Sequence, residues 1–216
     1  PNSSAIMPAQ PTPVATVTGR SDLVQLAVAA MLEHGLAPAF SVQALAELAA
    51  IAGPAEDAAP DIRDQRSALW CSMDDDDSLD LDQLSVCEAL EGGGWSVRVA
   101  IADVDALVPK GSAIDLHAQH NTTSVYTAAR VFPMLPERLS TDLTSLGAHQ
   151  DRLAMVTEMV VDADGQVSSF RTCCAHVRNQ AKLAYDSLAA WLDGKGELPD
   201  AARAVPTEEH DRQAGY

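Results

Sequence analysis

Six aspartates fall within nine residues, at Asp74, Asp75, Asp76, Asp77, Asp80 and Asp82. So dense a block of like charge is self-repelling in a folded domain unless solvent or a cation neutralises it. The spacing sorts the six. Asp80 and Asp82 are two apart, so on an extended segment both carboxylates face the same way and converge on one ion, while Asp74 reaches in from the preceding loop. Oxygen-only donors of this kind suit Mg²⁺ or Mn²⁺, with water and a substrate phosphate completing the shell. Asp75, Asp76 and Asp77 read equally well as a solvated acidic loop. An EF-hand calcium loop is excluded, because Leu79 stands where that loop needs glycine and Ser85 where it needs glutamate.

The flanking sequence predicts an α+β fold: a mixed, largely antiparallel β-sheet core flanked by helices, with an N-terminal helical hairpin. Residues 1–20 are polar and proline-rich, which predicts a disordered tail. Residues 21–60 hold the hairpin and a linker. Ser21 is the expected cap of a first helix with Leu23, Val24, Leu26, Ala27 and Met31 at helical spacing. Ser41 caps a second, with Val42, Leu45, Leu48, Ala49 and Ile51 as its buried stripe before Gly53-Pro54.

The main domain is expected over 61–216. Leu84 and Val86 alternate with polar neighbours, Glu91-Gly92-Gly93-Gly94 turns the chain, and Val97, Val99 and Ile101 alternate on the return, which is a hairpin pattern. Ser112 with Asp115 opens a short helix towards His120. Two more strands, 155–161 and 167–177, flank the turn Asp162-Ala163-Asp164-Gly165, and a helix is expected from Leu183 to Leu192 with Gly194 as its stop. His117 and His120 read as surface residues, since no third ligand accompanies them.

Composition narrows the function classes. The 14 Lys and Arg against 31 Asp and Glu give −17, a charge that repels a phosphate backbone and argues against a general nucleic-acid binder. An enzyme that holds phosphate through a divalent ion and single strands through stacking remains compatible. The four cysteines show no CxxC pair, which fits reduced thiols, and no segment is apolar enough to span a membrane, so a cytoplasmic protein is expected.

The stretch Asp74 to Gln83 resembles the signature of the ribonuclease II (RNB) family. Further matches follow in order: Val99-Ala100-Ile101-Ala102-Asp103-Val104, Thr123-Ser124-Val125-Tyr126, Met134-Leu135-Pro136-Glu137-Arg138-Leu139-Ser140 with Ser145-Leu146, and Ala181-Lys182-Leu183-Ala184-Tyr185. The resemblance implies Mg²⁺-dependent (or Mn²⁺-dependent) 3′→5′ hydrolysis of single-stranded RNA to nucleoside 5′-monophosphates, or an RNB segment that binds RNA or a protein without cleaving. It makes Asp74, Asp80 and Asp82 the metal residues, with Asp80 and Asp82 catalytic, and Tyr126 a base-stacking aromatic. Arg130, four residues on, is a candidate phosphate contact. Two departures accompany it. Gln83 stands where many members have a further aspartate, and nothing in Pro199 to Tyr216 matches the arginine-bearing second half of the family's catalytic domain.

Overall fold

The computed structural model describes residues 19–56, 59–203 and 205. Of the tail expected over residues 1–20, residues 1–18 lie outside them, and Arg20 already belongs to a helix. Seven strands form one sheet in the order β1-β8-β7-β4-β3-β2-β9: β1 (Arg63–Asp64), β2 (Cys71–Asp74), β3 (Gln83–Ala89), β4 (Trp95–Ala102), β7 (Asp151–Val161), β8 (Val167–Arg178) and β9 (Ala181–Ala184). A separate two-stranded ribbon joins β5 (Val125–Tyr126) to β6 (Val131–Phe132). The central pairs β2–β3, β3–β4, β4–β7 and β7–β8 are antiparallel, whereas β1–β8 and β2–β9 are parallel. The α+β class with a largely antiparallel sheet is thus observed.

Chain connectivity bends this sheet. Strands β8 and β9 lie near opposite ends of the order, yet only Asn179 and Gln180 separate them. Three Cα steps span at most about 11 Å, so the sheet must curl until the two strands approach each other. Asn179 secures the crossing from a buried position. Its Nδ2 donates to Ser72 Oγ at 3.0 Å and to the Leu146 carbonyl at 2.9 Å, and its Oδ1 accepts from the Ala181 N–H.

Alternation fills the concave face. Leu84, Ala100, Val156 and Cys173 sit directly opposite one another across four strands. Trp70 packs into the same core as Ala100, Ala154 and Ala175, small residues that leave room for an indole, and its Nε1 donates to the Gln65 carbonyl at 2.9 Å. Cys173 packs against this core while Cys174 contacts Met155 from the other face. The turn between β3 and β4 needs glycine in fact as well as in pattern. Gly94 has φ +90° and a Cβ there would stand 2.5 Å from the Val161 carbonyl oxygen.

The helices depart from expectation in four ways. Helix α1 (Arg20–Glu33) starts from Gly19, placing Ser21 inside it rather than at its cap. Helix α2 (Val42–Ala50) is capped by Ser41 as expected, but Ala44 is its fully buried residue while Val42 and Leu45 are exposed. The reason is its partner: α2 packs on α3 (Ala113–Asn121), and Ala44 meets Val108, Ile114 and Leu139. Glu47 of α2 accepts the N–H groups of Ala113 and Ile114, and Asn121 at the other end of α3 pairs both ways with the backbone of Ala37. Helix α2 and, through Ala37, the loop before it are thus docked on α3, and the main packing of α2 is against α3 rather than in an isolated hairpin with α1.

Leu183 and Ala184 belong to strand β9, and helix α4 begins at Tyr185 and runs to Leu192. Parallel pairing with β2 overrides the helical propensity of Ala-Lys-Leu-Ala. Finally, His117 is not a surface residue in the expected sense. Its ring lies 4.2 Å from that of Phe40, and partial burial, followed by the charge of His120, lowers its pKa. No described helix is long and apolar enough to cross a membrane.

Candidate active site

Strand β2 ends in Asp74, and the acidic loop that follows is tied down residue by residue. Asp74 Oδ1 accepts the Asp75 N–H at 2.8 Å, and the Ser78 N–H closes a turn on the Asp75 carbonyl. Lys182 of β9 donates from Nζ to the carbonyls of Asp76 (2.9 Å) and Ser78 (2.7 Å). Farther on, Ser145 Oγ donates to the Leu79 carbonyl at 2.8 Å and accepts from the Leu81 N–H at 3.2 Å. The Leu81 carbonyl accepts from Leu146 N–H and the Asp82 carbonyl from Ala102 N–H. Leu81 is buried, and Asp80 and Asp82 on either side of it are exposed, which is the alternation expected of an extended segment.

Both carboxylates line one cleft of about 370 Å³. Tyr126 lines it too, from the β5–β6 ribbon, with a side chain on a residue 76% exposed. The lining also includes the hydroxyl residues Ser124, Ser140 and Thr144. Ser140 lies in a π-helical turn, Leu139–Leu143, closed by the Thr144 N–H on the Leu139 carbonyl. Such turns are rare and frequent at functional sites, because the wider ring displaces a side chain from the regular helical face. Four of the five segments that carry the family resemblance, distant in sequence, therefore line one cleft, and the fifth, Ala181 to Tyr185, reaches the acidic loop beside it through Lys182.

The charge of the site is uncompensated. Partial burial raises the pKa of Asp80, and the neighbouring charges of Asp82 and then Asp74 raise it further. That Asp80 feels both shows that the three expected metal residues share one field, although Asp74 does not line the cleft. Among the described residues, no Lys or Arg forms an ion pair with any of them. Hard oxygen donors in an uncompensated negative field fit Mg²⁺ or Mn²⁺ by chemistry. The carboxylates are not drawn into a closed cage, since no described group of three His, Cys, Asp or Glu is gathered at metal-binding distance.

Asp75, Asp76 and Asp77 are exposed, in keeping with a solvated acidic loop. Gln83 pairs with Ile101 in the sheet and does not line the cleft. Arg130 does not line it either: its guanidinium lies 4.9 Å from the centre of the Phe132 ring, a cation–π contact. Ser145 and Lys182 were missed as individual residues. Both fall inside the quoted motifs, but their bonds run to backbone atoms more than sixty positions away, which no local pattern announces.

The RNB domain family model matches residues 61–213. Ribonuclease R of Vibrio parahaemolyticus is 37% identical over 153 residues, which cover 71% of this chain and 18% of that protein. Among solved structures, Mycoplasma genitalium RNase R in complex with double-stranded RNA matches with TM-score 0.74 at 27% identity, over 84% of this chain and 33% of that one. The same enzyme in complex with ribose-methylated single-stranded RNA matches with TM-score 0.73 at 28% identity, over 84% and 29%. The chain spans less than a fifth of the Vibrio relative's length. By the extent of the domain match and the agreement of fold, the chain belongs to the RNB family of exoribonucleases and carries part of its domain.

Proposed function

We propose that this chain supplies the metal-binding half of a Mg²⁺-dependent 3′→5′ exoribonuclease site that hydrolyses single-stranded RNA to nucleoside 5′-monophosphates. The observation that carries the reading is the convergence of Asp80, Asp82 and the exposed ring of Tyr126 on one cleft, with no Lys or Arg among the described residues in an ion pair with the carboxylates. Asp74, Asp80 and Asp82 are the residues to hold Mg²⁺ or Mn²⁺. When bound, the ion supplies Lewis acidity at the phosphate. Asp82, which lines the cleft and whose carbonyl accepts the Ala102 N–H, orients the attacking water, and Tyr126 offers its face to a base near the 3′ end. Acidic overall charge makes the ion and the stacking platform the main sources of RNA affinity.

A second reading is an RNB segment that binds RNA or a partner protein without cleaving. It is favoured by the open disposition of the carboxylates and by Gln83 in place of a further aspartate. Incubation of the chain with 5′-labelled single-stranded RNA and Mg²⁺, beside Asp82→Asn, separates the two. A metal-dependent ladder that falls at least about a hundredfold in Asp82→Asn supports cleavage, since even outer-sphere ligand losses cost ten- to a hundredfold. Intact RNA with protein folded by circular dichroism overturns it, and binding without shortening selects the second reading.

A further inference from the structure

The acidic loop is gripped from two sides by side chains that leave its carboxylates alone. On the leading limb, the Lys182 ammonium bonds two main-chain carbonyls, those of Asp76 and Ser78. On the trailing limb, Ser145 brackets Asp80, donating to the carbonyl before it and accepting from the N–H after it. Both grips come from rigid supports. Lys182 sits on β9, paired in parallel with β2, so that the strand pair fixing Lys182 opposite Ser72 also fixes Asp74 opposite Ala184. Ser145 is 4% exposed and precedes Leu146, whose N–H bonds the Leu81 carbonyl and whose side chain is in the core.

Six carboxylates on one loop repel, and an unrestrained loop would relieve that repulsion by spreading. A cation bonded to the carboxylates would also relieve it, at the cost of occupying the oxygens a metal needs. Lys182 does neither. Its bonds go to carbonyl oxygens, so it draws the loop in without forming an ion pair to Asp80 or Asp82. From this arrangement we infer that Lys182 and Ser145 are positioning residues: a two-point clamp that anchors the backbone of the loop carrying Asp80 and Asp82 to β9 and to the core before any ion arrives. The inference rests on the metal-binding reading of these aspartates for its consequence, though not for the clamp itself. Preorganisation of this kind lowers the ordering cost on binding and so tightens it.

The test uses the full chain and Mn²⁺ as the probe. Hydrogen–deuterium exchange over 75–82 is measured in the absence of metal for wild type, Lys182→Met, Lys182→Arg and Ser145→Ala, and Mn²⁺ affinity is read by electron paramagnetic resonance. The clamp predicts faster exchange confined to this loop in Lys182→Met and Ser145→Ala, with Mn²⁺ Kd raised about tenfold, within the range seen for lost supporting contacts. Lys182→Arg, which keeps charge and donors, restores most of both. Wild-type exchange and Mn²⁺ affinity in Lys182→Met and Ser145→Ala would overturn it. Faster loop exchange in a chain that binds no Mn²⁺ even as wild type upholds the clamp and removes the metal reading instead. Should Lys182→Met fail to fold, Ser145→Ala and Lys182→Gln carry the same comparison.

Discussion

The two ends of the curled sheet treat their carboxylates in opposite ways. At the far end of β7 and β8, Glu158 is bonded by Arg171 and by Gln65 Nε2 at 3.1 Å, with Arg63 at 3.6 Å. Glu88 of β3 meets Arg98 of β4 at 2.6 Å, and that guanidinium also lies over the Trp70 ring. Burial alone would raise the pKa of Glu158, but the Arg171 bond and the charges of Arg171 and Arg63 outweigh it and lower the value. Roughly six residues of strand away, about 20 Å, Asp74, Asp80 and Asp82 have no such partner among the described residues, and Asp80 shifts upward. Where the protein neutralises its own acids, it has built structure. Where the described residues leave them in each other's field, no described side chain supplies the compensation.

The exposed aromatics sharpen this contrast most. Tyr126 beside the aspartates and Phe170 at the arginine end are both 76% exposed. If only the aspartate end handles RNA, Tyr126→Ala weakens binding of a short single strand in Mg²⁺ about ten- to a hundredfold, the loss of one stacked base at roughly 1–3 kcal/mol. Phe170→Ala leaves it unchanged. Equal losses in fluorescence-anisotropy titrations of the two variants would erase the functional difference between the ends.

Breaking the other end costs stability. Glu158 is partly buried, and replacing it with Gln removes charge-assisted bonds while leaving Arg171 and Arg63 facing each other. Urea denaturation of Glu158→Gln is expected to show a loss of about 1–2 kcal/mol at neutral pH, with exposed partners keeping the figure low. The sign with pH follows from the lowered value. The folded-state pKa lies below the ordinary 4.5, so the contribution is fully present above that pH and disappears as pH falls through the folded value. The variant should therefore match wild type in acid and differ only above it. A constant difference at every pH would assign the effect to packing.

How much of this contrast a sequence displays depends on the range of the interactions behind it. The β3–β4 and β7–β8 hairpins, the Ser41 cap and the Ser112–Asp115 pair arise from neighbours, and alternation with turn glycines exposes them. The common side of Asp80 and Asp82 is legible for the same reason. Strand β9 is not, because Ala-Lys-Leu-Ala becomes extended only through β2. Nor is the burial of Ala44 in place of Val42, which depends on α3 lying across α2. Arg130 illustrates the limit at the site itself: a cation near the motif is visible in sequence, but its seat over Phe132 is set by the β5–β6 ribbon.

The smallest effect expected is also the one that most directly opposes the two ends. Charge on Asp80 is unfavourable in the fold, because partial burial and the fields of Asp82 and Asp74 all act against it. Asp80→Asn removes that charge and keeps the shape, so without divalent ions the variant should be more stable than wild type. Solvent screening of an exposed carboxylate holds the gain under about 1 kcal/mol, or roughly 1–3 °C in Tm for a chain of this size. Saturating Mg²⁺ should then narrow or reverse the order, since an ion that binds only the folded wild type stabilises it by mass action and Asp80→Asn forfeits part of that gain. A variant that melts lower than wild type in chelator would show that Asp80 is held by contacts favouring its charge. The aspartate end would then be structural, like the arginine end.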